Sequence, residues 1–499
     1  MSLMVRATLI GVYVALVVGL AAPALIGLAN SGHWPDSNLT RSVLTIAVPA
    51  VMLTTSVTSR RHSLAWSVFW AWSLIFLGLA PAYQLSKAAL PWGATLAPDA
   101  VAAAQGVILV GYGVAIVVFF IAARRVVPLR RQSPYVRSPE RLRRVMSGII
   151  AIHIVVSATF IAVMGPALFS GRSAFSARLI QASELPAMGT VYFVSTAGAV
   201  IIPAMAITLR KLAVSISPVL IALSSFFSLV VTNPLIGSRF LTGSFLVAIT
   251  AALMTSTARR WLPAGIILLF VTVFPTLDLL RGDGTGASRI ELTDPATTLT
   301  SFDYDAFEML YRAVSLNGKS IGGLPGTGEL LVAPLLRWVP FLSNSVQGDA
   351  TGPVVAKSTG MGYTNVSMPL WGEAYFIGSW FGLVLTFAIL GVVLAATLRS
   401  RSLAGALLEV PAAALLFIVL RGSLYEVLGY MLLAVATAWG LSALGQRDGP
   451  RGSGFSPGGA PLRSTIIGNP IERSAVRRGN HSQVRVSASR IPRSTAVKK

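Results

Sequence analysis

Four carboxylates and four arginines stand out as groups able to do polar chemistry in an otherwise apolar chain. Asp303, Asp305 and Glu308 lie in the stretch SFDYDAFEMLYRAV (301–314), and Glu373 lies in MPLWGEAYFIGSWFG (368–382). Arg239 sits in NPLIGSRF, Arg312 beside the three acids, Arg337 in LLRWVP and Arg421 in LRGSLYE. A carboxylate in apolar surroundings is a candidate general base. The planar fork of arginine suits phosphate or carboxylate. These residue types are therefore the material for proton abstraction and anion binding. The bland alternatives are an interfacial snorkel or a loop ion pair for each arginine, and a helix-start acid favoured by the dipole for Glu373. Charges embedded at a membrane shift the balance toward function.

Other chemistries find no material here. There is no cysteine, so thiolate metal sites, disulfides and Cys nucleophiles are excluded. No metal-ligand spacing occurs, and isolated acids such as Asp349 do not make a metal site. Neither a Walker motif nor a Rossmann fingerprint is present, and no cofactor is implied. His153 stands alone inside an apolar segment, where an interhelical hydrogen bond is the expectation. Glu409 is the main charge inside a span and lies toward its cytoplasmic end, too little for a proton-coupled pump.

Most of these groups belong to one polar interruption. Between Arg281 and Gly372 the chain leaves its apolar pattern, and with Glu373 this stretch holds nine of the 18 acidic residues. Phe307, Leu310, Tyr311 and Val314 recur at helical spacing, with Asp305, Glu308 and Arg312 on another face. The pattern predicts a short amphipathic helix, capped by Ser301 or Asp303 and lying on the outer membrane surface. The following Gly318–Ser367 is rich in Gly, Pro, Ser and Thr and reads as an irregular, mobile cover. Gly372, Gly378 and Gly382 are expected to permit close helix packing rather than to bind phosphate.

The elements that must hold this stretch are membrane helices. The chain is 54% hydrophobic and 12% charged, with a mean hydropathy of +0.71. An ordinary soluble domain carries about 25% charged residues. A ~30 Å bilayer core needs about 20 apolar residues per helix. About twelve candidates are expected, centred near Leu16, Val48, Ser73, Val110, Val155, Val200, Leu220, Val247, Leu269, Thr386, Leu415 and Leu432, with the second and eleventh the shortest. The expected fold class is an all-α polytopic membrane protein: residues 1–445 form the membrane domain, with one large loop (281–372) between spans nine and ten. Basic clusters (Arg60-Arg61, Arg124–Arg144, Arg210-Lys211, Arg259-Arg260, Arg399/Arg401) fall at every second connection. The positive-inside rule then puts both termini in the cytoplasm and the large loop outside. The net charge of +22 is explained by this topology rather than by nucleic acid. Only six of the 40 basic residues are lysine, a bias that hints at a GC-rich bacterial source. Residues 446–499, with eleven basic and two acidic residues, read as a disordered cytoplasmic tail attracted to anionic lipid.

GSR opening a mid-chain span, SFDYDAFEMLYRAV in the loop, NVSMPLWGEAYFIGSWFGLV and a final RGSLYE resemble the Wzy-type oligosaccharide repeat-unit polymerases of the O-antigen polymerase and ligase superfamily. The resemblance covers roughly Asn233 to Leu441. It implies an enzyme of the bacterial cytoplasmic (inner) membrane acting on its extracytoplasmic face. Such enzymes transfer a growing glycan from undecaprenyl pyrophosphate to the non-reducing end of an incoming lipid-linked repeat unit, without metal or cofactor. It further implies Arg239 and Arg421, with Arg312 and Arg337 as loop candidates, as groups that hold the pyrophosphate or glycan. Asp303, Asp305, Glu308 and Glu373 are the available bases, with no order among them. Related ligases use a loop histidine, which this loop lacks. Implied partners are undecaprenyl-pyrophosphate-linked oligosaccharides and membrane lipid, with flippase and chain-length regulator proteins alongside.

The competing expectation is a lipid-linked oligosaccharide flippase or other transporter. A transporter places polar residues along a central path, often in two related halves. Here they gather in one loop and at one face.

Overall fold

The structure, a computed structural model, describes residues 3–59, 62–124, 136–185, 187–235, 239–273, 294–316, 350–363, 366–399, 402–422 and 424–446. All belong to one compact unit, Met1–Gly449. Every described element is helical. In chain order the principal helices are α1 (Leu3–Asn30), α2 (Asp36–Thr58), α3 (Leu64–Ser86), α4 (Pro98–Arg124), α5 (Pro139–Met164), α6 (Arg172–Ser183), α7 (Met188–Lys211), α8 (Pro218–Val231), α9 (Arg239–Leu253), α10 (Leu262–Leu268), α11 (Ala306–Ser315), α12 (Thr351–Ser358), α13 (Leu370–Ala396), α14 (Leu403–Arg421) and α15 (Leu424–Gln446).

Among the described residues, nine helices are long and apolar enough to cross a membrane. Their outward faces carry large apolar side chains, such as Val117 and Phe120 on α4, Ile152 and Val155 on α5, and Phe381 and Ile389 on α13. An apolar surface of that extent calls for lipid. The chain is therefore an all-α polytopic membrane protein.

The lengths differ from expectation in an instructive way. The second and eleventh segments, expected to be short, form α2 with 23 residues and α14 with 19. In α2 the polar residues that lower its apparent apolarity donate to their own helix: Ser42 to Asn38 O at 2.9 Å, Thr54 to Ala50 O at 2.8 Å and Thr58 to Thr54 O at 2.7 Å. Among the described helices at expected spans, α8 and α9 have only 14 and 15 residues, and α10 has seven before it continues as a π-helical turn, Leu269–Val273. At 1.5 Å per residue α8 and α9 each reach only ~21–23 Å, less than a ~30 Å apolar core. Arg239, the first residue of α9, is buried.

Helix α3 is the most deeply buried of the nine long helices. Every residue from Ser63 to Leu85 is buried, and Leu74–Leu79 widens into a π-helical turn. Its aromatic side chains meet those of neighbouring helices. Trp66 stacks on Phe119 at 3.8 Å, Trp72 on Trp371 at 5.8 Å, and Phe76 on Tyr304 at 5.2 Å. α13 packs along α4, and small residues permit the approach: a Cβ on Gly111 would lie 2.4 Å from Trp371 Nε1, and one on Gly391 3.1 Å from Ala115 O.

The amphipathic helix of the loop exists as α11, but it does not lie on a surface. All residues from Ala306 to Ala313 are buried. It begins later than expected, after a 3-10 turn at Phe302–Tyr304, and neither Ser301 nor Asp303 caps it: the N-cap is Asp305, which makes no side-chain cap bond. Its apolar face enters the core through Phe307 and Leu310, and its polar face is covered by partners described below. The Gly-rich stretch is not irregular throughout, since Thr351–Ser358 is helical. Gly352 allows this helix to dock, because a Cβ there would lie 2.2 Å from Val366 O.

Candidate functional site

At one end of the bundle, three described arginines are each ion-paired to a different carboxylate. Arg239, at the start of α9, pairs through Nη2 with Asp303 Oδ1. Arg421, the last residue of α14, places Nη2 2.5 Å from Asp305 Oδ1. Arg312 donates to Glu308 Oε1 through Nη2 at 2.7 Å and Nε at 3.0 Å, one turn along α11. Arg337 lies outside the described residues.

Two of these pairs form a single unit. Asp303 and Asp305 flank Tyr304 in and just after one 3-10 turn, so the turn presents its two carboxylates to guanidiniums from two separate helices. The Arg421 guanidinium also lies 5.2 Å over the ring of Phe240, the residue after Arg239. Below the turn, Tyr304 is fully buried, donates its hydroxyl to Phe270 O and stacks on Phe76. Gln84 of α3 donates to Leu299 O at 3.1 Å and Tyr304 O at 2.9 Å, fixing the turn from the other side.

The four candidate carboxylates differ sharply in their surroundings. Glu308 is fully buried and saturated: besides Arg312 it accepts from the Trp92 backbone N at 2.6 Å and the Ala94 backbone N at 3.2 Å. Four donors on one carboxylate make it a staple between α11 and the loop after α3. Glu373 is also buried; it accepts from Leu424 N at 2.6 Å and Thr351 Oγ1 at 3.1 Å. It thus sits at the start of α15, where a carboxylate suits exposed helix N–H groups, rather than serving only its own helix. Asp305 accepts from the Trp92 indole N–H at 2.9 Å. Burial pushes the Asp305 carboxyl above the usual carboxylate range, even against the lowering effect of Arg421. Asp303 is the most accessible of the four, its side chain 12% exposed.

Around this cluster the remaining donors are few. Arg421 Nη1 reaches Ser367 O at 3.5 Å, and its buried Nε has no hydrogen-bond acceptor among the described residues. Arg312 Nη1 donates to Thr359 Oγ1 at 3.1 Å. Three carboxylates thus face three guanidiniums, with Glu373 held nearby by Leu424 N and Thr351. Such an arrangement can exchange ion-pair partners and can hold a proton on a carboxylate. Among the described residues no three His, Cys, Asp or Glu side chains converge in a metal-binding arrangement.

The structure therefore gathers Arg239, Arg312, Arg421, Asp303, Asp305, Glu308 and Glu373 at one end of the bundle. It adds a participant that sequence reasoning missed: Trp92, in the loop between α3 and α4, which bonds Asp305 and Glu308 together. Its only signal was a tryptophan in a Pro-Trp-Gly turn. Gly372 permits close packing on α11, since a Cβ there would lie 2.5 Å from Met368 Sδ and 3.5 Å from Leu310 Cα; one on Gly382 would lie 2.5 Å from Ala374 O of its own helix, across the break in α13. Gly378 lies at that break, where Ser379 has φ +52°. His153 makes the expected interhelical bond, its Nδ1 3.1 Å from Ser224 Oγ. An apolar cavity beside it, lined by Ile149, Val194, Ile202, Leu433 and Thr437, holds none of the charged groups. Compared with known proteins, the chain matches no family model, no curated protein and no solved structure.

Proposed function

We propose that this protein polymerises undecaprenyl-pyrophosphate-linked oligosaccharide repeat units on the extracytoplasmic face of a bacterial inner membrane. The observation that carries the proposal is the pair of ion pairs Arg239–Asp303 and Arg421–Asp305, presented by one turn at one end of the bundle. The topology adopted is twelve spans with both termini in the cytoplasm and residues 281–372 outside. The alternation of basic connections supports it.

In the proposed reaction a hydroxyl of the acceptor sugar attacks the anomeric carbon of the donor glycan. The bond from that carbon to the pyrophosphate oxygen breaks, and its electron pair leaves with the prenyl pyrophosphate. The hydroxyl proton passes to a carboxylate. Asp303 is assigned that role, because it is the most accessible of the four. Glu308 and Glu373 are assigned positioning roles, because backbone N–H groups already occupy them. Arg239 and Arg421 take the pyrophosphate, whose negative charge grows as the bond breaks. Their present partners are carboxylates, so the incoming pyrophosphate replaces Asp303 and Asp305 on the guanidiniums. Donor binding then frees the Asp303 carboxylate to act as base.

A flippase reading draws on the same apolar helices. It finds less support, because the described charged groups gather at the ends of the spans rather than along a path through them. The test is glycan analysis of cells lacking the protein. Loss of long chains with accumulation of single lipid-linked repeat units on the outer face is the expected result. Repeat units trapped on the cytoplasmic face would instead identify a flippase.

A further inference from the structure

Three aromatic side chains from three separate segments meet beside the charged turn. Trp92, from the loop after α3, lies 4.5 Å from Phe302 with ring planes at 37°, and stacks on Tyr363 at 5.2 Å and 17°. Phe302 is 59% exposed and Tyr363 40% exposed, while Trp92 is half-buried between elements. Large aromatic rings left open at a loop surface have two common explanations: an anchor in the membrane interface, or a platform for a ligand.

The hydrogen bonds decide between them. An interfacial tryptophan turns its N–H to water or headgroups. Here the Trp92 indole N–H donates to Asp305 at 2.9 Å, and its backbone N–H to Glu308 at 2.6 Å. Both polar handles of Trp92 are committed to the carboxylates of the charged cluster, so the row is tied to that cluster through Trp92, while the Phe302 ring and the ring and hydroxyl of Tyr363 face outward. A pyranose ring presents a face of C–H groups bounded by hydroxyls. That face stacks on an aromatic ring while the hydroxyls find polar partners at its edge. Phe302 directly precedes Asp303, the most accessible carboxylate of the site. Phe302 and the assigned base thus belong to the same 3-10 turn, Phe302–Tyr304.

We propose that Phe302, Trp92 and Tyr363 form a carbohydrate-binding platform that holds the acceptor sugar, placing its hydroxyl at Asp303. This inference rests on the polymerase reading above and specifies which substrate lies where. The platform takes the glycan of the acceptor; the arginines take the pyrophosphate of the donor.

The test separates the two substrates with two probes, used on the purified full chain in lipid nanodiscs. One probe is the oligosaccharide released by mild acid from the lipid carrier of cells that make the protein. The other is undecaprenyl pyrophosphate without sugar. Phe302→Ala and Tyr363→Ala alter exposed side chains, so folding is expected to survive. Each should weaken oligosaccharide binding roughly tenfold, the scale of one lost aromatic stack, and leave undecaprenyl pyrophosphate binding unchanged. Phe302→Trp should restore the oligosaccharide affinity. Alanine variants that bind the oligosaccharide as tightly as wild type, with reduced yield in the membrane, would make these residues interface anchors and overturn the platform. A wild-type protein that binds undecaprenyl pyrophosphate but not the oligosaccharide would overturn the platform alone. One that binds neither probe would overturn the polymerase reading with it.

Discussion

The two ends of the helix bundle both carry arginines, and they use them differently. At one end Arg239, Arg312 and Arg421 face carboxylates. At the other, the basic residues bond mainly to carbonyls where helices finish. Arg260 donates to Val57 O and, at 2.8 Å, to Ser59 O; Arg259 donates to Ala251 O at 2.8 Å; Lys211 donates to Met254 O at 2.9 Å. Cations at helix C-termini satisfy orphan carbonyls and the helix dipole. Two described acids lie at that end: Glu409 pairs loosely with Arg259 at 3.4 Å, and Glu140 pairs with Arg143 at 2.8 Å on an exposed helix turn. A carbonyl cannot change charge or leave its helix. A carboxylate can take up a proton, or be replaced on arginine by a stronger anion. The carbonyl-bound contacts are fixed by the backbone, whereas on the proposed function the carboxylate-bound end exchanges its partners.

Removing one arginine from each end separates the two roles. Arg239→Ala and Arg421→Ala should each abolish chain extension, a fall of at least a hundredfold on the scale of losing an anion-stabilising donor. Arg260→Ala should lower the melting temperature but leave extension per folded molecule within about threefold, as a structural contact would. Removing one partner of a buried ion pair can cost ~3–5 kcal/mol by stranding the other charge. The double variant Arg421→Ala/Asp305→Ala removes both charges. It should regain thermal stability and still fail to extend chains. Recovery of extension by the double variant would reduce the pair to structure.

Asp303→Asn comes next, and its two readouts move in opposite directions. Loss of a general base slows the reaction by ~10²–10⁴. Loss of the competing carboxylate frees Arg239, so undecaprenyl pyrophosphate should bind more tightly. Weaker binding by this variant would show that Asp303 supports the arginine rather than occupying its site.

Glu308→Gln should act on stability rather than chemistry. The amide can no longer satisfy four donors, and a buried polar group left unmatched costs ~1–3 kcal/mol. A lower melting temperature in nanodiscs checks this.

The smallest effect is on pH dependence. Burial raises the folded-state pKa of Asp305 above its unfolded value. Below the unfolded pKa the group is protonated in both states and contributes no difference. As pH rises from the unfolded value through the folded one, the native state must ionise a carboxyl it prefers neutral, and stability falls. Wild type should therefore lose stability across that window relative to Asp305→Asn. In the same direction, protonated Asp305 releases Arg421, so pyrophosphate affinity should rise as pH falls. Parallel melting curves for the two proteins from acid to neutral pH would contradict the assignment.

Much of the site was legible in the sequence, because membrane proteins concentrate meaning in their few charges. Arg239 and Arg421 could be singled out by type and by position at the ends of apolar segments, and Asp303 and Asp305 as acids of the polar loop. What could not be read was their pairing, which depends on one 3-10 turn meeting two helices distant in sequence. Order among the carboxylates was hidden for the same reason: Glu308 and Glu373 are distinguished by backbone N–H groups from residues 92, 94 and 424, which leave no trace in composition. The amphipathic helix 306–315 was visible as a pattern, but its depth was not. Its polar face looked solvent-bound until Trp92, Ala94 and Thr359 covered it. Helix lengths misled where hydroxyls bond within their own helix, as in α2.

On the proposed function, the carboxylate-bound end transfers glycan between lipid carriers. The direct measurement uses purified protein in liposomes supplied only with single lipid-linked repeat units. A ladder of longer lipid-linked chains is predicted, with one undecaprenyl pyrophosphate released for each link formed, and no ladder from Arg421→Ala/Asp305→Ala. Movement of repeat units across the bilayer with no ladder and no released undecaprenyl pyrophosphate would contradict it.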